Sequence, residues 1–394
     1  MKKEFYLFIV LIAIMACKKP YLPPAITAPD SYLVVEGTIK SGADSTFIML
    51  SRTVNSSSNT FVKREVNAHV TVEGDDNSSY ELSETYSGIY VNPGLMLNNL
   101  RKYRLRITTA GHEQYLSSFE PVLSNPPIDS VNFTVQHTAA NTGIQIYVNT
   151  HDPSNKINYY RWDYGETWRF HSKYASSFVS NGVGIFYRKP DQDVYYCFAG
   201  DSSSSIILGS SAGLTKSVIY QTPITQIPST SEKIEAKYSI EVNQYALTAD
   251  AYNFWVNLKK NSEQLGSIFD AQPSTIDGNI QCISNPSKPV IGYISICNVQ
   301  RKRVFIQSDQ LPSWLPDYPY DCMLDTAFYA KGGSPGVQPE NQVAEYLIPL
   351  NSGDIPVSAV YGPGSPSPEG YLYSSIECVD CTKRGSKKQP AFWK

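Results

Sequence analysis

Three kinds of residue in this 394-residue chain have types and spacings that could support chemistry: a Gly-x-Ser-x-Gly run, a C-x-x-C pair and scattered carboxylates. Gly209-Ser-Ser-Ala-Gly213 follows the apolar Ile206-Ile-Leu208, the setting of a nucleophile elbow centred on Ser211. Such an elbow needs a helix after it and a histidine later in the chain to take the serine proton. Here Ser217-Val-Ile-Tyr220 reads as another strand, and the last histidine, His171, lies upstream. The hydrolase reading fails both requirements, and no catalytic residue is assigned. Cys378-Val-Asp-Cys381 matches a redox motif, but that motif works at a helix N-terminus inside a βαβ frame, and this pair closes a β-rich chain. A zinc site would need a second ligand pair. His69, His112, His137, His151 and His171 supply none at short spacing, so no metal site is assigned. Asp75-Asp76-Asn77 and Asp191-Gln-Asp193 lack the ordered oxygen series of a calcium loop and read as solvated turns. No phosphate-binding loop, dinucleotide fingerprint or H-E-x-x-H is present, and no cofactor is expected.

The remaining reactive group is at the start. Met1-Lys2-Lys3 precedes an apolar run from Phe5 to Met15, too short for a hydrocarbon core that needs about 20 residues. It ends in Ile14-Met15-Ala16-Cys17, which resembles a bacterial lipobox: a signal peptide over 1–16, then a cysteine to be acylated. Cleavage there would leave 378 residues joined to a membrane through Cys17 by more than one acyl chain, as stable anchoring requires. Residues 17–29 read as the acylated cysteine and a tether; the twelve positions 18–29 hold four prolines and no apolar period and extend roughly 37 Å at about 3.1 Å per residue. Six cysteines remain: Cys197, Cys282, Cys297, Cys322, Cys378 and Cys381. An exported chain keeps disulfides, so all six are disulfide candidates, with fifteen pairings open if all join. Cys378 and Cys381 could each reach back to Cys197 or Cys322 and staple the terminus down.

These groups are carried by a mainly β chain. Tyr32–Ile39, Thr46–Thr53, Ala68–Glu73, Gly88–Val91 and Tyr103–Thr108 are short β-branched and aromatic runs separated by turn residues, the pattern of an immunoglobulin-like β-sandwich over 30–125. Tyr103, Leu105 and Ile107 alternate with basic residues, which predicts one buried and one wet face. Pro126-Pro127 breaks the pattern and marks a boundary; 126–394 reads as a larger β-rich domain. One amphipathic helix interrupts it, N-capped by Thr248, carrying Tyr252, Trp255, Val256 and Lys259, and closed by Gly266.

Composition narrows the partners. A formal charge of -3 offers no basis for nucleic-acid binding, which relies on uncompensated Lys and Arg. The basic tail, Lys383, Arg384, Lys387, Lys388 and Lys394, reads as a solvated terminus. Aromatic residues make up 12% of the chain, and the Pro-rich loop Leu311–Tyr320 concentrates three of them. Trp314, Tyr318 and Tyr320 are therefore the interaction candidates, because exposed rings offer rigid contact area at low entropic cost.

Several stretches, taken in order, resemble the lipoproteins grouped as domain of unknown function 4249. They are Tyr32-Leu-Val-Val-Glu-Gly, Gly266-Ser-Ile-Phe-Asp, Gln272-Pro-Ser, Gly278-Asn-Ile, Pro289-Val-Ile-Gly-Tyr293, Cys378-Val-Asp-Cys381 and Phe392-Trp393. The resemblance implies a Bacteroidota outer-membrane lipoprotein, with an outer-membrane β-barrel receptor of the TonB-dependent kind as partner, and carries no catalytic residues with it. A glycan- or peptide-binding surface lipoprotein is the alternative. Lys18 and Lys19 replace the acidic residues common after the acylated cysteine of surface-exported members, so periplasmic and extracellular facing both stay open.

Overall fold

The computed structural model describes residues 31–54, 62–138, 142–263, 278–333 and 338–393. The leader 1–16, Cys17, the tether 17–29, Gly266, the runs after it to Ser274 and Lys394 lie outside the described residues. The chain is mainly β and folds as sandwiches, as the sequence pattern predicts.

Period-two hydrophobicity builds the first unit. In strand Lys102–Thr108, Tyr103, Leu105 and Ile107 are buried, while Arg104 and Arg106 face outward. There both arginines clasp Glu73 of the neighbouring strand, at 2.8 and 2.5 Å. The strands of this unit form one continuous sheet that curls so that Leu33 and Val35 share a core with Val70, Leu105 and Tyr115.

Its closure comes from far along the chain. Strand Ile280–Cys282 pairs antiparallel with Gln114–Ser117 at one end of the curled sheet. Val290–Ile291 and Ile296–Cys297 pair parallel with Leu33–Lys40 at the other end. This corrects the linear division at 125/126: Ile280, Cys282, Val290, Ile294 and Ile296 belong to the first core, and the second unit is interrupted by them in sequence. Two glycines make the return possible. A Cβ on Gly292 would lie 2.3 Å from the Val35 carbonyl oxygen, and one on Gly278 would lie 1.8 Å from the Gly292 carbonyl oxygen. Gly292 also has φ +148°, a conformation that side-chain-bearing residues rarely adopt.

The second unit packs a three-stranded sheet (Ile128–His137, Thr142–His151, Val218–Pro228) against a five-stranded one. The latter is centred on the long strands Tyr159–His171 and Lys237–Leu247. Tyr160, Trp162, Trp168 and Phe170 point into the shared core. Gln244 is fully buried, accepts from the Trp162 indole at 3.0 Å and donates to the Pro126 carbonyl at 2.8 Å. The segment before Pro127 is thus part of the second core's hydrogen-bonding.

Thr248 caps helix Ala249–Glu263 by accepting from the Ala251 N–H at 3.2 Å. Its deepest residues are Ala251 and Phe254, and Tyr252 and Trp255 pack beside them against the same core. Phe254 meets Tyr293 of the returning segment, with ring centroids 5.5 Å apart, while Trp255 lies over Arg161. A third, smaller unit joins the hairpin Phe178–Ser180/Ile185–Tyr187 to the sheet of Asp325–Phe328, Pro368–Ser375 and Asp354–Tyr361 around Phe178, Ala327, Val343, Leu347 and Tyr371.

Candidate interaction site

The loop 311–320 owes its shape to proline. Strand Gln300–Gln307 ends in the tight turn Ser308–Gln310, and Pro312, Pro316 and Pro319 then deny the chain the N–H groups that would extend a ladder. Leu311 and Trp314 fold back onto the second core. Trp314 meets the His137 ring edge-on, with centroids 6.3 Å apart. The Asp317 N–H donates to the Thr230 carbonyl at 2.7 Å, and the Tyr318 hydroxyl donates to Glu235 Oε1 at 2.5 Å. Burial first, and then the Glu235 carboxylate, push the Tyr318 hydroxyl far above its usual pKa, so it remains a donor throughout the physiological range.

Glu235 is the hub of this anchoring. Its carboxylate, only 5% exposed, also receives His171 Nε2 at 3.1 Å. Lys173 and Arg384 both face the Tyr318 ring, at 5.0 and 5.7 Å from its centroid, and Arg384 additionally pairs with Glu232. A shallow cavity of about 270 Å³ opens between the loop and the turn Glu232–Ile234, lined among others by Ser231, Glu235, Asp309, Ser313 and Trp314. Of the three interaction candidates, Trp314 and Tyr318 are therefore half-buried anchors, and Tyr320 is 38% exposed. The sequence reading overlooked Leu315, which stands 84% exposed at the loop tip. Its position between two prolines, Pro312 and Pro316, was the available signal.

The other chemical candidates resolve as structure. Ser211 is fully buried in its turn, with Oγ 3.2 Å from both Asn158 Oδ1 and Ser217 Oγ. No histidine is among its hydrogen-bond partners, so it has no base to accept its proton. Asp76 accepts from the Ser78 N–H at 3.0 Å and Asp193 from the Tyr195 N–H at 3.0 Å, each closing a local turn. Among the described residues no group of three His, Cys, Asp or Glu converges to hold a metal ion.

The cysteines divide. Cys197 bonds Cys381 and Cys322 bonds Cys378, so the two members of C-x-x-C serve different disulfides and staple the terminus to two separate elements. Cys282 and Cys297, expected as disulfide candidates, are buried free thiols. Their side chains lie in different cores, Cys282 in that of the first unit and Cys297 in that of the second. Burial pushes the Cys297 thiol up to about 12, which leaves it protonated and unreactive.

Comparison with known proteins adds the following. A family model described as "Domain of unknown function (DUF4249)" matches residues 18–303. No curated protein matches the chain. Among solved structures, a segment of two fibronectin type-III domains from chicken tenascin is similar at 10% identity, covering 55% of this chain and 93% of that one, with a TM-score of 0.17. The family match spans most of the chain and includes the returning segment that closes the first sheet; the chain belongs to the DUF4249 family.

Proposed function

We propose that this chain is a non-catalytic lipoprotein of the outer membrane, anchored through Cys17, that binds a partner through the loop 311–320 as an accessory to an outer-membrane β-barrel receptor of the TonB-dependent kind. One observation carries the contact face. The loop is fixed by Leu311, Trp314 and the Tyr318–Glu235 hydrogen bond while it presents Leu315 outward. A pre-ordered loop with an exposed apolar tip binds without the entropic cost of ordering itself. The lipobox sequence supports the anchor, and the burial of Ser211 supports a binding role over a hydrolytic one.

Mild crosslinking in intact membranes, followed by identification of the captured chain, tests this reading. A β-barrel receptor recovered with the native chain, and lost with Leu315→Asp, is the expected result. Recovery of the chain alone would sink it. The cavity beside the loop favours a second reading, glycan or peptide binding, because Ser231, Asp309 and Ser313 line it together with Trp314. A glycan array read with the native chain and a Trp314→Ala control separates the two readings.

A further inference from the structure

The C-terminal basic segment is held in place rather than solvated, and its position creates a surface distinct from the 311–320 loop. Trp393 is only 7% exposed and packs against Phe198 and Phe305, with ring centroids 5.1 and 5.6 Å away. Ser386 exchanges two backbone hydrogen bonds with Phe198, each 2.8 Å, and the Cys197–Cys381 disulfide pins the segment from the other side. Lys387 Nζ reaches the Asp191 carbonyl at 2.8 Å, and Arg384 donates to the His171 carbonyl at 3.3 Å. Cys381 N–H bonds the Val194 carbonyl, and Ser172 N–H bonds the Tyr195 carbonyl. Residues 169–173, 188–196 and 380–388 therefore run side by side.

This juxtaposition collects Lys173, Lys189, Lys383, Lys387 and Lys388, all exposed. None of the five lies in an ion pair among the described residues. Three carboxylates share the strip. Asp193 and Asp380 are turned onto the backbone N–H groups of Tyr195 and Thr382, and Asp191 is exposed. Arg384 is balanced by Glu232. The strip is thus net positive on a chain whose formal charge is -3. Tyr196 remains 39% exposed, and Arg169 stacks on its ring at 3.9 Å.

We propose that this strip binds an acidic polysaccharide, with its anionic groups on the lysine ammoniums and a sugar C–H face against the Tyr196 ring. Two observations select this partner over other polyanions. A membrane surface would be met by apolar side chains entering the lipid, and Tyr196 is the single large hydrophobic residue exposed along the three segments. An acidic peptide would gain by pairing with a strand edge, and the free edge of Tyr196–Ser202 is already taken at Phe198 by Ser386.

The test uses the full chain in neutral detergent, with polygalacturonate as ligand and dextran, poly-glutamate and phosphatidylglycerol vesicles as comparisons. The expected result is polygalacturonate binding that weakens about tenfold or more in Lys189→Glu/Lys383→Glu/Lys388→Glu and on raising ionic strength from about 0.01 to about 0.15 M, as the Debye length falls from about 30 to about 8 Å. Trp314→Ala binds polygalacturonate like the native chain, which keeps this surface separate from the loop. An unchanged melting transition in the triple variant establishes that it folds. Equal affinity of native and triple-variant chains for polygalacturonate overturns the proposal. So does equal or tighter binding to dextran, poly-glutamate or the vesicles.

Discussion

The returning segment 280–297 is held to the first unit by an ion network as well as by strand pairing, and substituting Lys288→Met measures that network. Lys288 Nζ lies 2.7 Å from Glu113 Oε1, across 175 residues of sequence, and Arg52 Nη2 lies 3.0 Å from Glu113 Oε2. The Tyr115 hydroxyl donates to the same carboxylate at 2.7 Å. Lys288 is the largest influence on Glu113 and, with Tyr115 and Arg52 against the opposing effect of burial, holds its carboxyl at about 2, below the usual 4.5. If every contact were shielded from water, a drop of that size would correspond to about 3 kcal/mol. Glu113 keeps 29% of its side chain in solvent, so about 1–2 kcal/mol is the realistic contribution of the whole network. A folded-state pKa below the unfolded one means the stabilisation is present above pH 4.5 and is lost as pH falls toward 2. At about pH 3, less than half of it should remain by the same linkage. Urea unfolding of the native chain and Lys288→Met is the assay, at pH 7 and at about pH 3, followed through the first unit. We expect Lys288→Met to cost about 1 kcal/mol at pH 7 and clearly less at low pH, with most of the loss absent when Glu113→Gln is already in place. Equal destabilisation at both pH values, or additivity with Glu113→Gln, would refute the reasoning and assign Lys288 a role in packing alone.

Three further outcomes follow from the structure. Gly292→Ala places a Cβ against the Val35 carbonyl at a φ of +148°, and should cost about 2 kcal/mol or more by calorimetry, with Cys282 becoming open to alkylation. Peptide mapping without reductant should recover Cys197–Cys381 and Cys322–Cys378 as linked pairs, with Cys282 and Cys297 modified only after unfolding; removing either bond should cost about 2–4 kcal/mol, more for the separation of 184 residues than for that of 56. Leu315→Asp should change the unfolding midpoint little, within about 0.5 kcal/mol, since the side chain is 84% exposed, while it removes partner capture.

Local periodicity was readable because it needs no knowledge of neighbours. The alternation at Tyr103, Leu105 and Ile107 and the cap at Thr248 both appear where the sequence places them. That Phe254 is the helix's deepest ring was not readable, because it packs on Tyr293, a residue that arrives from the returning segment. The anchoring of Tyr318 was likewise illegible, since Glu235 lies 83 residues before it and is itself held by His171, a further 64 residues upstream.

By itself, the sequence determined the β architecture and the expectation of a lipid address at Cys17, because each rests on residue type and short spacing. Tertiary structure alone decided which four of six cysteines bond, where the first sheet closes and that the basic tail is docked. Those outcomes depend on which distant backbones approach closely enough to pair. Gly278 and Gly292 are the points where two such backbones meet without room for a Cβ.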